Sequence, residues 1–182
     1  MNASKNRPDT FGPIHKAIRC ALADLMIAMG RASFADDVQA KRVVADLEEV
    51  LLLCESHIAH EDRFVFPRLR TRLSGPLESI ESAHVAHTRT IAELRSLGGA
   101  LLEAPPAKRP LVGQTLYIHF SVFIGEELLH MAEEERFVAP LIEKLFTDEE
   151  IQEVQARIQA SLSPDEVNRA AKFFMRSMVE GG

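Results

Sequence analysis

The sequence predicts an all-α fold, an up-down antiparallel four-helix bundle followed by short C-terminal helices. Three observations lead there. Apolar residues recur with the helical period along most of the chain, and no stretch alternates as a half-buried strand does. Four long periodic segments are joined by modest connections, as antiparallel neighbours are. The four segments also fall into two similar hairpins.

The first predicted helix spans 13–30, with His15, Ile18, Leu22, Leu25 and Met29 on its inward stripe. The second spans 36–72, with Val43, Leu47, Val50, Cys54, His57, Glu61 and Phe64 inward. Gly75-Pro76 opens the third, with proline suited to a first turn. Its stripe is Leu77, Ile80, His84, His87, Ile91 and Leu94, and Gly98-Gly99 lies near its end. Pro105, Pro106 and Pro110 mark the next connection. The fourth helix spans 111–146, with Val112, Leu116, His119, Phe123, Glu127, His130, Glu134, Phe137 and Leu141 inward. Thr147 to Glu150 and Ser163 to Glu166 have the form of capping boxes, each opening a short helix. Ala170, Phe173, Phe174 and Met178 give the last helix an apolar face to dock. The expected organisation is a bundle over 11–146 and a helical extension over 147–182 packed on it.

Composition narrows the function. With 182 residues, 46% of them hydrophobic and 26% charged, the chain has the size and core of a globular domain. A net charge of −6 speaks against nucleic acid, which asks for a basic face. No apolar run approaches the ~20 residues of a membrane span, and no signal-peptide pattern opens the chain, so a cytoplasmic protein without a membrane partner is expected. Cys20 and Cys54 fall inside helical patterns and read as buried, reduced thiols.

The chemistry lies in a repeat. His57-Ile58-Ala59-His60-Glu61 and His130-Met131-Ala132-Glu133-Glu134 each place a Glu four residues after a His, with Pro67 and Pro140 ten residues after the histidines. Residues i and i+4 share a helix face, so nitrogen and carboxylate can converge on one point. The preceding helices match too: His15 to Leu25 and His84 to Leu94 both begin His-x-Ala and end Ala-acid-Leu. Each hairpin thus offers one His from its first helix and a His-x-x-x-Glu from its second. Packed with approximate twofold symmetry, they bring together His15, His57 and Glu61 with His84, His130 and Glu134. That stoichiometry suits two metal ions with positions left open, and mixed nitrogen and oxygen donors suit iron, manganese or zinc rather than calcium. A lone histidine on an apolar stripe is ordinarily a satisfied core residue. Five of the seven histidines at matching heights are another matter, because each buried without a partner would cost kilocalories.

Other polar residues break the symmetry. His87, one turn past His84, aligns with Ile18 and reads as a further nitrogen ligand for one ion or as a pocket histidine. His60 is turned by about 60° from the His57 direction and pairs in the repeat with Glu133. Glu127 aligns with Cys54 and could ligate or accept a ring N–H from a ligating histidine. His119 stands about 16 Å along the axis from His130, too far to share its ion. The second hairpin carries more of these groups, so the two metal positions are expected to be unequal.

The pattern His15, His57-x-x-x-Glu61, His84, His130-x-x-x-Glu134 resembles the hemerythrin-like, or HHE cation-binding, domain over residues 11–146. The resemblance implies a four-helix bundle holding a non-haem di-iron centre with carboxylate bridges and terminal histidines. It implies binding or sensing of dioxygen, nitric oxide, peroxide or another redox signal, or iron handling, with a homodimer or protein partner as the route of output. His84-x-x-His87 and His130-x-x-x-Glu134 depart from the His-x-x-x-His and His-x-x-x-x-Asp of the oxygen-carrying hemerythrins. The competing readings are a di-iron oxidase or peroxidase-type enzyme, and a non-catalytic interaction module that binds zinc or no metal. Glu81-x-x-His84 and Glu127-x-x-His130 fit part of the ferritin-like pattern, but the first helix supplies only Asp24 where that pattern asks for Glu.

Overall fold

The computed structural model describes residues 8–73 and 77–177. Those residues form helices and no strand. In chain order they are α1 (Gly12–Arg31), α2 (Asp37–His60), π1 (Glu61–Val65), α3 (Phe66–Arg70), α4 (Glu78–Glu103), α5 (Arg109–Glu133), π2 (Glu134–Val138), α6 (Ala139–Leu145), α7 (Asp148–Ser161) and α8 (Pro164–Ser177). α2, π1 and α3 run on without a break, as do α5, π2 and α6. The Gly75-Pro76 opening and Met178 lie outside the described residues.

Local chemistry accounts for most helix ends. Asp36 caps α2, its carboxylate accepting from the Gln39 N–H at 2.9 Å. Thr147 and Glu150 form the reciprocal capping box that opens α7, and Ser163 and Glu166 do the same for α8. Pro110, expected in a connection, sits instead in the first turn of α5, where its missing N–H costs nothing. α4 runs through Gly98-Gly99 to Glu103. The reason is packing: Gly98 faces Val44 and Leu47 of α2 closely enough that a Cβ would just touch them. A Cβ at Gly113 would collide with the Phe34 ring.

The four long helical runs close a ring. α1 packs on α2 and α5, and α4 packs on α2 and α5. α8 lies against α1 and α2, and α7 touches π1. Arg95 of α4 clamps α2, donating to both carboxylate oxygens of Glu48 and, at 3.0 and 2.9 Å, to both of Glu55. Two apolar clusters fill the interior. One contains Ile18, Leu22, Leu47, Cys54, Ile91, Leu94, Phe120 and Phe123. The other contains Phe11, Val65, Phe66, Leu69, Ile80 and Val138. Between them in each helix comes the His and Glu layer, shielded from water on both sides. Truncating a fully buried leucine such as Leu22 or Leu94 would cost on the order of 2–5 kcal/mol.

Apart from His119, the expected stripes hold up to the two glutamates and then fail in the same way twice. Phe64 is half-buried and Phe137 is exposed, while Val65, Phe66, Val138 and Ile142 are buried. Both failures begin at a π turn, closed by Phe66 N–H on the Glu61 carbonyl and by Ala139 N–H on the Glu134 carbonyl. A π turn holds an extra residue, so the inward face downstream moves on by one position. The prolines give the physical cause. Pro67 and Pro140 have no N–H to donate and their rings crowd the carbonyl four residues back, and a widened turn relieves both problems. His119, assigned to the inward stripe of the fourth helix, is exposed, and Phe120 is buried in its place. Cys20 is only half-buried, whereas Cys54 is buried.

Candidate metal centre

His15, His57, Glu61, His84, His130 and Glu134 meet in the buried layer between the clusters, each no more than 7% exposed. Their ligand atoms fall into two groups that could hold a metal ion: His15, His57, Glu61 and Glu134, and Glu61, His84, His130 and Glu134. Both carboxylates belong to both groups. Glu61 turns Oε1 toward His57 Nε2 at 3.3 Å and Oε2 toward His84 Nε2 at 3.4 Å. Glu134 turns Oε2 toward His15 Nε2 at 3.4 Å and Oε1 toward His130 Nε2 at 3.4 Å. Each carboxylate therefore spans the two groups, one oxygen to each, in the manner of a bridge.

Nitrogens face nitrogens across the site. His15 Nε2 lies 3.1 Å from His57 Nε2, and His84 Nε2 lies 2.9 Å from His130 Nε2. Two nitrogens bound to one ion at about 2.1 Å and near-perpendicular angles stand roughly 3 Å apart. All four oxygens of Glu61 and Glu134 are buried without a hydrogen-bond partner, as is His130 Nδ1. Buried acceptors left open in this way carry a heavy desolvation cost. A cation at each group would satisfy the four carboxylate oxygens, so the donor set fits a pair of metal ions.

The outer nitrogens of two of the rings are tied across the hairpins. His15 Nδ1 donates to Glu135 Oε1 at 2.9 Å, and His84 Nδ1 donates to Asp62 Oδ1 at 2.8 Å. A carboxylate there fixes the tautomer, turns the Nε2 lone pair inward and strengthens it as a ligand. Glu135 is itself held by both Arg19 nitrogens, at 2.6 and 3.1 Å. The reading of the sequence missed Asp62 and Glu135. A signal was present: Glu61-Asp62-Arg63-Phe64-Val65 and Glu134-Glu135-Arg136-Phe137-Val138 are near copies, and an acid follows the bridging Glu in each.

The charges of these side chains act on one another strongly. Burial alone would lower the His15 pKa, yet the adjacent Glu134 and Glu61 carboxylates raise it to about 9. His84 follows the same logic, with burial opposed by Glu134, Glu61 and Asp62, and reaches about 10. Burial would raise the Glu61 and Glu134 carboxyls, but the surrounding imidazoles hold both below the usual carboxylate range. For His130 burial prevails and its pKa falls. The carboxylate pair thus attracts positive charge into the layer.

Other polar residues lie outside both groups. His87 is buried, edge-on to His130 with ring centroids 5.1 Å apart. Its Nδ1 is 3.1 Å from Glu127 Oε1, but off the line of a hydrogen bond, so both atoms remain buried and unpartnered. Glu127 is buried within range of Cys54, whose thiol pKa is raised by burial and by the Glu127 and Glu55 charges. His60 is half-buried beside Phe64, and Glu133 is exposed. Arg70 pairs with the Glu81 carboxylate, which keeps that carboxylate out of the layer and leaves the ferritin-like arrangement without one of its members.

No protein-family model matches the chain, and no curated protein matches it. No helix among the described residues is long and apolar enough to cross a membrane.

Proposed function

We propose that this chain is a hemerythrin-like di-iron protein of the cytoplasm. The long helices between Gly12 and Leu145 are its up-down four-helix bundle, and Asp148–Ser161 and Pro164–Ser177 are its helical extension. The observation that carries the reading is the pair of buried carboxylates, each with one oxygen toward each histidine pair and none of its oxygens hydrogen-bonded. In this reading His15 and His57 would hold one ion, His84 and His130 would hold the other, and Glu61 and Glu134 would serve both. His87 is a reserve nitrogen beside the second ion. Iron is favoured over zinc and manganese by the resemblance of the repeat to the hemerythrin-like pattern.

A bound ferrous pair supplies open coordination positions and two electrons for dioxygen, nitric oxide or peroxide. The chain does the rest. Asp62 and Glu135 orient His84 and His15 by holding their Nδ1 protons. The two apolar clusters exclude water and strengthen every interaction in the layer. Signal output passes through the extension, a second copy or a protein partner.

The test is the metal content of anaerobically prepared protein. About two irons per chain are expected, with a near-UV absorption band that depends on oxygen and a clear loss of metal in His57→Ala. Fewer than about one ion of any metal per chain, unchanged by His57→Ala, would sink the reading. A second reading, an oxidase or peroxidase-type enzyme at the same pair, is favoured by a cavity of about 400 Å³ that reaches His57 and Glu61. Rapid peroxide turnover would select it, and a stable nitric oxide adduct without turnover would select sensing.

A further inference from the structure

The outer face of the fourth long helix is apolar and bare. Leu111, Ile118, Val122 and Leu129 of α5 and Phe137 of π2 are each 50 to 73% exposed. Leu111, Thr115, Ile118, Val122, Gly125 and Leu129 follow one another at alternating steps of four and three residues. That is the spacing of a narrow seam that meets one other helix. No position along it carries a charge. Continued past Leu129, the same steps would reach Arg136, but the π turn adds a residue and brings Phe137 onto the line instead. A Cβ at Gly125 would meet nothing within 4 Å.

The other hairpin offers a direct comparison. In the repeat that matches His57 with His130, Thr115, Val122 and Leu129 correspond to Arg42, Glu49 and Ser56 of α2. That face of α2 is polar, and α8 lies on it. Glu49 pairs with Arg169 and Lys172 at 3.7 and 3.8 Å, and Ser56 donates to Glu166 at 2.8 Å. The matching face of α5 is apolar where α2 is polar, and it is left exposed. One hairpin therefore receives its outer helix from the tail of the same chain, and the other lacks an equivalent.

Size and charge say what fits there. At roughly 100 Å² for each such side chain, the five offer about 500 Å² of apolar surface. Monomeric proteins rarely leave so much in one patch. A stable interface buries about 800 Å² per partner, a little over half of it apolar, so the seam supplies what one copy must bring. Between Leu111 and Leu129 it runs straight for about 27 Å, and a second seam of the same length and spacing matches it. The flanks set the direction. Lys108 and Glu133 are exposed and lie on one side of the seam, near its two ends. Antiparallel pairing centred at the level of Phe120 sets Leu111 against Leu129 of the second copy and Ile118 against its Val122. It also sets Lys108 of each copy beside Glu133 of the other. Parallel pairing would leave both charges opposite uncharged flanks.

We propose that this seam is the interface of a homodimer, two copies packed antiparallel through α5 about a twofold axis. The interface needs no metal. α5 also carries His130 and runs on into Glu134, so the second copy rests behind the helix that supplies half of the ligand layer. Only the significance of that placement rests on the di-iron reading.

The experiment is sedimentation equilibrium of the full chain, first metal-free and then after iron reconstitution. Both forms are expected at twice the 20.3 kDa chain mass at micromolar concentration. Val122→Lys brings two like charges into the middle of the interface and should weaken the dimer at least about a hundredfold. Its helical circular dichroism should not change, because Val122 is exposed. Val38→Lys, at the α2 position that matches Leu111, should leave the dimer as it is. Cysteine cross-linking reads the direction. A mixture of Leu111→Cys and Leu129→Cys chains should form a disulfide-linked dimer. Leu111→Cys alone should not, since antiparallel pairing holds its two copies about 27 Å apart. If Val122→Lys does not fold, the cysteine pair decides the matter. A chain that stays monomeric, a dimer indifferent to Val122→Lys, or Leu111→Cys linking to itself would overturn the proposal. Two irons held by a monomer refute this proposal alone. A dimer through α5 that holds no metal refutes the di-iron reading alone.

Discussion

The two hairpins build matching half-sites and surround them differently. In each, a histidine pair brings its Nε2 atoms to about 3 Å, at 3.1 Å in the first and 2.9 Å in the second. In each, a glutamate follows the second histidine by one turn and opens a π turn. The outer Nδ1 of each first histidine is held by an acid of the opposite hairpin. Beyond that the halves diverge. His57 and Glu61 look into a cavity of about 400 Å³. His130 looks onto His87 and Glu127, buried behind Phe123. Duplication of a hairpin suffices for the ligand layer, and inequality comes from the residues one turn deeper and from the tail, which lies against α1, α2 and π1. In the proposed metal protein the first half-site is the one that exchanges ligands, and the second is the sealed one.

The most severe way to break the comparison is to remove what the halves share. Glu61→Ala or Glu134→Ala takes a bridge from both groups at once, so each should drop metal content from about two ions to below about one per chain, read by elemental analysis. Loss of a single ion with the other fully retained would show that the half-sites are independent.

pH acts next, on both halves together. His15 and His84 have pKa values raised to about 9 and about 10, and a metal must displace both protons. The joint affinity for two ions should therefore rise by up to about a hundredfold per pH unit below pH 9 and level off above 10, measured by competition with a chelator. The metal-free protein should behave oppositely. The raised pKa values contribute stability that is fully present below the ordinary imidazole value of 6.5 and is lost as pH rises through 9 and 10. Thermal melting that improves from pH 7 to pH 10 would contradict this.

The acids across the hairpins come third. Asp62→Ala and Glu135→Ala should each weaken metal binding by about ten- to a hundredfold. Glu135→Ala should have the larger effect, because Arg19 holds Glu135 in place while Asp62 is half exposed at 51%. Equal and negligible effects would reduce both acids to surface partners.

The smallest effect sharpens the asymmetry itself. His87→Ile with Glu127→Cys gives the second half the residues that Ile18 and Cys54 supply to the first. Replacing this buried, imperfectly paired couple should be neutral or should stabilise the metal-free protein by about 1–4 kcal/mol, seen as an unchanged or raised Tm. The spectra of the two irons should also become more alike. Destabilisation would mean that the pair is better satisfied than its off-line 3.1 Å contact indicates.

Much of this site was legible before any packing was known. His15, His57, Glu61, His84, His130 and Glu134 could be selected because helical period and repeat alignment are local properties, and both point to one layer. His87 and Glu127 could be seen only as polar residues in the wrong place, because alignment against Ile18 and Cys54 says what they are not. Phe137 was misassigned by one position, because a fixed period cannot know that a turn will widen, whereas Leu141 still packs against the second apolar cluster. His119 was assigned inward by the same arithmetic and is exposed.

The sequence by itself determined that the chain is helical, where its caps fall, and which side chains share a face. These follow from spacing within a turn or two, which backbone geometry enforces wherever a helix forms. Only the tertiary structure decided the rest. Glu135 reaches His15 across 120 residues and Asp62 reaches His84 across 22, distances along the chain that no helical period encodes. The carboxylates span two groups because four helices close on one layer. The cavity exists because α7 and α8 lean on one side of the ring rather than the other, a choice made by packing between faces that are all apolar enough to pack.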